Sequence, residues 1–520
     1  EVKMSVFHNP MLLSPSGASA FDTALIGKSV WLDGAADFLS VELGAKTRTR
    51  AVIGTWFQKN NFTTGDQTVF SKKSSGTEFA WRMIDQGSNS NGWEIFDYDG
   101  SAFQYSAESS MVFRDIGWYH IMISIDTTAD AGSRLKFFVN GIDRTSTLTV
   151  ATDYTEDDNI SITGGSGHAT QWGVGYPGNS QFAAIYLAQS FMLDDDSIQN
   201  SDVAVADILD SFEYGENGSQ FGPKANADIA ALASSASGSS FCLDYSDSSA
   251  LGTDASSLGN DFTPTSMAAI NQSNHTPSKT YMQLNARSFF GVAALSEGNT
   301  RVGVDVYDAI RGTKFASSGK KYLEVTINTV NNTYIGVANN SASPTSFASL
   351  NVACLQKSGD IYINNAIPAG TNGSSHAFGD DDVVGILIDA DNKKWWQSIN
   401  GQINSLDRTP DIDLSDSDVI AGTGGFDLTS LAGDDGFYTI HIGNSDGSTA
   451  DVSVNTGHKA FAHTPPEGYT DWGSDNYTAP DHQGVDYYKN VLYTGDGEAI
   501  GDGGNAVTGV GFKPDWVFIK

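Results

Sequence analysis

Cysteine is almost absent from the chain: 520 residues hold only Cys242 and Cys354. Two thiols cannot form a disulfide framework, and because they fall in what the pattern below makes separate domains, both are expected to be free. Basic residues are also few, 29 Lys and Arg against 62 Asp and Glu, which leaves a net charge of −33. A surface this acidic repels phosphate backbones, and no Lys/Arg cluster offsets it, so nucleic-acid binding is not expected. No apolar run approaches the roughly 20 residues of a spanning helix, which argues against membrane insertion. The stretch "MSVFHNPMLLSPSGASAF" lacks the basic start and long apolar core of a secretion signal. Together with the scarce cysteine, this leads us to expect assembly in a reducing cytoplasm.

Proline, at 13, is scarce as well, whereas glycine reaches 55 and apolar residues make up 39%. Ser, Thr, Asn and Asp fill the gaps between short apolar runs. That texture predicts an all-β protein of tandem antiparallel sandwiches joined by many turns, with short helices between them. A length of 520 residues exceeds what one core serves, so several domains are expected.

Period-2 patterns trace the first domain, expected over 20–215 after an N-terminal arm of 1–19. In "WYHIMISIDTT", Ile121, Ile123 and Ile125 share one face while His120, Met122 and Ser124 take the other. Leu135, Phe137 and Val139 alternate in the same way before a predicted hairpin at Asn140-Gly141. Helical spacing of Val205, Ile208, Leu209 and Phe212, with Ser201 to cap and Gly215 to stop, predicts one short helix over 201–215. A connector follows over 216–280. Its Ser/Gly-rich loop carries Asp244, Asp247, Asp254 and Asp261, a set of oxygen ligands that raises Ca²⁺ as a candidate cofactor. The regular EF-hand spacing is absent, and Asp and Ser are equally ordinary turn formers.

The second domain is expected over 281–470. "KKYLEVTIN" places Leu323, Val325 and Ile327 inward, "TYIGVAN" does so with Ile335 and Val337, and Asn400-Gly401 predicts another hairpin. Alternation along Trp395-Trp396 points one ring inward and one outward, and only the outward ring would be free to bind. A polar linker is expected over 471–484. The chain then restarts over 485–520, where "VTGVGFKPDWVFIK" reads as a strand that opens a further β-rich domain or pairs between subunits.

Two resemblances carry these patterns further. The order "WLDGAADFLSV", "AVIGTWFQK", "GWYHIMISIDTT", "LKFFVNG" and "FAAIYLAQSFML" resembles the laminin-G or concanavalin-A-like lectin sandwich. "GKKYLEVTI", "YIGVAN", "VVGILIDADNKKWWQSINGQ" and "HKAFAHTPPEGY" resemble the SPRY domain, with Tyr322-Leu323-Glu324-Val325 where better-known animal members have Trp-Glu-Val. The series as a whole is similar to large structural proteins of tailed, particularly marine, bacteriophages of the tail-fibre or virion type. That resemblance implies a virion protein whose partners are other virion proteins and a host-surface glycan or protein, and it implies a homo-oligomer, with a trimer the first expectation. An architectural spacer or capsid decoration without ligand, and a polysaccharide-degrading tailspike, are the other two readings.

Chemistry finds little support in the residues. Laminarinase-type hydrolysis on a lectin-like sandwich needs two carboxylates facing one cleft, about 5–5.5 Å apart for a retaining mechanism. In "WEIFDYDG", Glu94 and Asp97 fall on opposite sides of a strand, leaving Asp97 and Asp99 together beside a turn glycine. No Gly-x-Ser-x-Gly elbow, His-Glu-x-x-His or Cys-x-x-Cys occurs. A non-enzymatic recognition protein is therefore expected. Trp93, Trp172 and Tyr176, set beside Gly, Asn and Gln, are the candidates for stacking on a sugar, although a buried packing role competes at each.

Overall fold

The computed structural model describes residues 25–474, apart from the interior segments 34–35, 44–47, 60–66, 74–77, 85–91, 114–116, 162–168, 174–184, 195–212, 215–219, 237, 291–292, 306, 342–350, 368–375, 407–412 and 446. Within them the chain is all-β, two antiparallel sandwiches in series. The expected N-terminal arm, the 201–212 part of the expected helix and the restart over 485–520 lie outside the described residues.

In the first sandwich one sheet runs, edge to edge, through Ile142–Asp143, Leu135–Val139, Trp118–Asp126, Arg50–Lys59, Ile185–Leu193, Ser29–Leu32 and Gln272–Ser273, with Phe241–Leu243 also paired to Ile185–Leu193. The facing sheet runs through Leu148–Thr152, Phe103–Ser109, Gly92–Tyr98, Glu78–Ile84, Gln67–Lys73, Ala169–Gly173, Phe38–Val41 and Thr263–Thr265. Ile121, Ile123, Ile125, Leu135, Phe137 and Val139 all enter the core between them, as alternation predicts. The opposite face of the same strands is buried too. Met122, Trp118, Trp56, Phe138 and Phe191 pack beneath a helix, Asn226–Ala236.

That helix follows from its composition. Alanine supplies helix propensity at no cost in side-chain entropy, Asp228 lies in the first turn where a carboxylate suits the dipole, and Ile229, Ala230, Ala233 and Ala236 form the buried stripe. The expected helix over 201–215 does not extend to its proposed end: Glu213–Tyr214 is extended and pairs with Gln220–Phe221. The segment 216–280 is likewise more than a connector. Phe241–Leu243 and Gln272–Ser273 extend one sheet and Thr263–Thr265 extends the other, so this stretch completes the sandwich before it.

The second sandwich pairs a six-stranded sheet, Leu284–Phe290, Ala309–Gly312, Tyr438–Asn444, Thr333–Asn339, Val352–Gln356 and Ile361–Ile363, with a ten-stranded one. The main path of the latter runs through Ala293–Ser296, Arg301–Val304, Ala450–Asn455, Lys320–Thr329, Val383–Asp389, Lys394–Ile399, Gln402–Asn404 and Asp413–Leu414. Leu323, Val325, Ile327, Ile335 and Val337 meet in its core as expected. Both predicted Asn-Gly hairpins form, with φ of 48° and 73° at Asn140-Gly141 and 51° and 84° at Asn400-Gly401. Two consecutive left-handed residues match the twist of the flanking strands, and Asn and Gly are the residues that tolerate them. The expected linker over 471–484 begins too early, because Trp472 is fully buried in this core and Met282 N–H donates to its carbonyl.

Candidate functional site

The residues singled out in the sequence disperse. Trp93 is a correction: it lies on the Gly92–Tyr98 strand, fully buried, with Phe57 and Phe113 edge-on at 5.0 and 5.9 Å. Period-2 alternation sends Trp93, Ile95 and Asp97 to the core face, which no glycine or asparagine neighbour alters. Trp172 stands within the Ala169–Gly173 strand, paired to Leu39 on one side and Phe70 on the other, rather than in a loop. Tyr176 lies outside the described residues. Trp395 and Trp396 do point to opposite faces, yet both are fully buried. The outward ring of Trp396 sits among Tyr322, Leu387, Ile403, Leu414, Val419 and Tyr469, and its Nε1–H donates to the Thr423 carbonyl at 2.8 Å. The short helix Asp416–Ile420, capped by Ser415, and the 461–469 segment thus cover what the sequence leaves open.

The four aspartates of the Ser/Gly-rich loop are turn formers. Asp244 accepts from Ser246 N–H, Asp247 from Ser249 N–H, and Asp261 from Asp254 N–H. Asp254, buried, accepts from the backbone of Cys242, Ser256 and Asn260 and from the Ser256 hydroxyl. Each turns at least one carboxylate oxygen to the chain itself, Asp254 both, and no group of three His, Cys, Asp or Glu among the described residues is placed to hold a metal ion. We expect millimolar Ca²⁺ or its chelation to leave the melting temperature unchanged within about 1 °C. Asp254→Ala should cost roughly 2 kcal/mol, because it strands buried donors. Differential scanning calorimetry checks both; a Ca²⁺-dependent rise of several degrees would restore the metal reading.

The "WEIFDYDG" carboxylates separate further than alternation predicts. Glu94 faces outward. Asp97 faces the core, where Tyr154 Oη and Ser161 N–H each donate to it at 3.0 Å and burial holds its carboxyl above the usual range. Lys72 lies in the same cross-strand row, Lys72–Phe79–Asp97–Tyr105, its ammonium pulled down by burial. Asp99 sits in the exposed turn, accepting from Ser101 N–H, Ala102 N–H and Gln104 Nε2, which depress its pKa. Asp97 and Asp99 therefore share no cleft, and no pair of these carboxylates flanks a common space.

What the register does assemble is a surface the sequence did not reveal. Arg82, Glu94 and Glu108 form one outward cross-strand row, and Ala80, Phe96 and Ser106 form the next. Arg82 Nε donates to Glu94 Oε2 at 2.5 Å, and its guanidinium carbon lies 5.3 Å from the Phe96 ring centre. Phe103 meets Phe96 edge-on at 6.0 Å and Tyr98 at 5.3 Å, and is 50% exposed. The result is a shelf whose one open ring is Phe103, backed by the buried Phe96 and the partly exposed Tyr98 and bordered by a paired guanidinium and carboxylate. A flat apolar ring next to paired polar groups is the arrangement that stacks on a sugar face or anchors a protein side chain. Three aromatics on adjacent strands, 96, 98 and 103, were the available signal, but only the bulge after Asp97 puts them together.

No protein-family model and no curated protein sequence matches the chain. Solved structures similar to parts of it include the SPRY domain of human HERC1, at 11% identity and a TM-score of 0.26, over 34% of this chain and 99% of that one. A native heptameric SAP-like pentraxin from Limulus polyphemus has 10% identity and a TM-score of 0.26, over 36% of this chain and 82% of that one. Domain 4 of AbnA, a GH43 extracellular arabinanase from Geobacillus stearothermophilus solved with arabinotriose, has 18% identity and a TM-score of 0.23, over 33% and 75%. Scores at this level carry nothing about ligand or activity. The chain itself is an all-β protein of two antiparallel sandwiches, one completed by residues 241–273 and the other closed by Trp472.

Proposed function

We propose that the chain is a non-catalytic recognition module whose first sandwich binds a host-surface glycan or protein side chain on the Arg82–Phe96–Phe103 shelf. The finer reading is a structural component of a bacteriophage tail or capsid fibre. It rests on the sequence resemblance alone, as do other virion proteins as partners; assembly into a homo-oligomer rests on that resemblance and on the strand-like pattern of residues 507–520. The observation that supports recognition is the half-exposed Phe103, met edge-on by Phe96 and at a tilt by Tyr98, beside a paired Arg and Glu. The net charge of −33 disfavours polyanionic ligands, which points the shelf toward neutral sugars.

The test is a glycan array and host-cell adsorption with the 520-residue chain and Phe103→Ala. Losing one stacked aromatic should weaken binding about tenfold, with the melting temperature unchanged because half of the ring is already in water. Equal binding by both chains removes the shelf from the reading. No binding by either favours the architectural spacer.

A further inference from the structure

The two sandwiches meet through a directed chain of buried hydrogen bonds. Tyr281 N–H donates to His275 Nδ1 at 3.0 Å, which leaves the proton of the neutral imidazole on Nε2. Nε2–H then donates to Gln58 Oε1 on the Arg50–Lys59 strand of the first sandwich. Gln58 Nε2 donates to Gln283 Oε1 at 3.1 Å, and Gln283 Nε2 donates to the Gly298 carbonyl of the second sandwich at 2.9 Å. Every member uses its donor in the same direction. His275, Gln58 and Gln283 are buried, with the rings of Trp118 and Tyr186 at 5.6 and 5.2 Å from the imidazole.

Shape reinforces the polarity. Tyr186 lies where a side chain on Gly298 would begin, its Cε2 2.4 Å from that position, and Gly298 has a φ of 69°. Beside it, Ser29 Oγ donates to the His275 carbonyl at 2.6 Å, Ile26 N–H to Ser278 Oγ at 3.1 Å and Asn274 N–H to the His458 carbonyl at 2.8 Å.

We propose that His275 is a proton-operated latch, which in its neutral form locks the two sandwiches into one rigid body and when protonated releases them. A second ring proton at Nδ1 would face Tyr281 N–H, donor against donor, at a buried imidazole. Lys314, whose Nζ donates to the Thr280 carbonyl at 2.6 Å, and His458 both oppose a further positive charge there. The other charged groups of the junction are Lys28 on Asn274, Lys279 with Asp471, and Lys459, which interacts with Glu297. Burial, Lys314 and His458 hold the imidazole well below its usual pKa of 6.5. The latched state therefore resists the proton that the open state accepts. As pH falls below about 6.5 the open-to-latched ratio rises by up to tenfold per pH unit, and above it the ratio is flat.

Förster transfer between dyes on S101C and S417C, one exposed position in each sandwich, reads the latch in the 520-residue chain. The buried native thiols of Cys242 and Cys354 will not label. From pH 7.5 to 4.5 transfer efficiency should fall in a one-proton transition while near-ultraviolet circular dichroism persists. His275→Gln, which keeps an amide donor and acceptor but cannot titrate, should abolish that transition. Transfer that stays constant until the dichroism collapses overturns the proposal, and so does an unchanged transition in the His275→Gln chain. Should that variant fail to fold, Gln58→Leu breaks the next link and should move the midpoint toward neutral pH, and an unmoved midpoint counts against the latch.

Discussion

Urea unfolding followed from pH 7.5 to pH 4 should show stability flat above about pH 6.5 and falling steeply below it. The cause is a set of histidines buried in neutral form. His120 lies between Trp56 at 5.3 Å and Phe191 at 6.3 Å, and burial lowers it to about 3; His458, in the second sandwich, is also lowered to about 3, with Lys459 adding to the effect. The unfolded chain titrates these rings near 6.5. Above that pH neither state binds the proton, so the groups contribute no pH dependence. Below it the unfolded state takes up protons that the folded state refuses, and each imidazole removes about 1.4 kcal/mol per pH unit until the folded pKa is reached. Asp37 and Asp97, both raised chiefly by burial, act with the opposite sign: each adds stability as pH falls from its raised folded pKa to the unfolded value near 4, and so offsets part of the loss above about pH 4. His120→Phe should lessen the slope by one proton, since a phenyl ring suits the same aromatic slot. A stability curve that stays flat to pH 4.5 would show that these rings are hydrated in solution.

Removal of one carboxylate should have an effect of similar size at neutral pH. Arg48 Nε and Asp194 Oδ1 are 2.5 Å apart, with side chains only 6% and 1% exposed. The pair joins the approach to the Arg50–Lys59 strand to the end of Ile185–Leu193, where Asp194 N–H also donates to Ser240 Oγ at 2.9 Å. It thereby ties the first half of the sandwich to the 240s segment that completes it. Asp194→Ala leaves a guanidinium buried without its counter-charge, which costs about 3–5 kcal/mol. The double change Arg48→Met with Asp194→Leu should recover most of that loss, because two apolar side chains avoid the desolvation of both ions. Calorimetry of the three chains measures the coupling. A single-variant loss below about 1 kcal/mol would mean that the pair is hydrated and weak, like an exposed one.

The sequence by itself determined the class and the inner faces. Short apolar runs of period 2 separated by turn residues permit little besides antiparallel sandwiches, so Ile121, Ile123 and Ile125 in one core and Leu323, Val325 and Ile327 in the other could be placed by counting. The Asn-Gly turns were legible for the same local reason, since few other residue pairs accept two left-handed conformations in succession. What alternation cannot say is what covers the far side of a sheet. Trp396 and Met122 point away from their main cores as counted, yet the Asp416–Ile420 helix and 461–469 segment bury the first and the Asn226–Ala236 helix the second. Nor does local pattern decide which strand a short segment joins, and so 216–280 reads as a connector while three of its pieces, within 241–273, close the first sandwich. The candidate shelf depends on cross-strand register and on a bulge after Asp97 that brings Phe103 beside Tyr98, and the latch depends on Gln58 meeting His275 across 217 residues of chain. Both are long-range juxtapositions: side-chain periodicity is encoded residue by residue, but register and docking are settled only when the sheets pack.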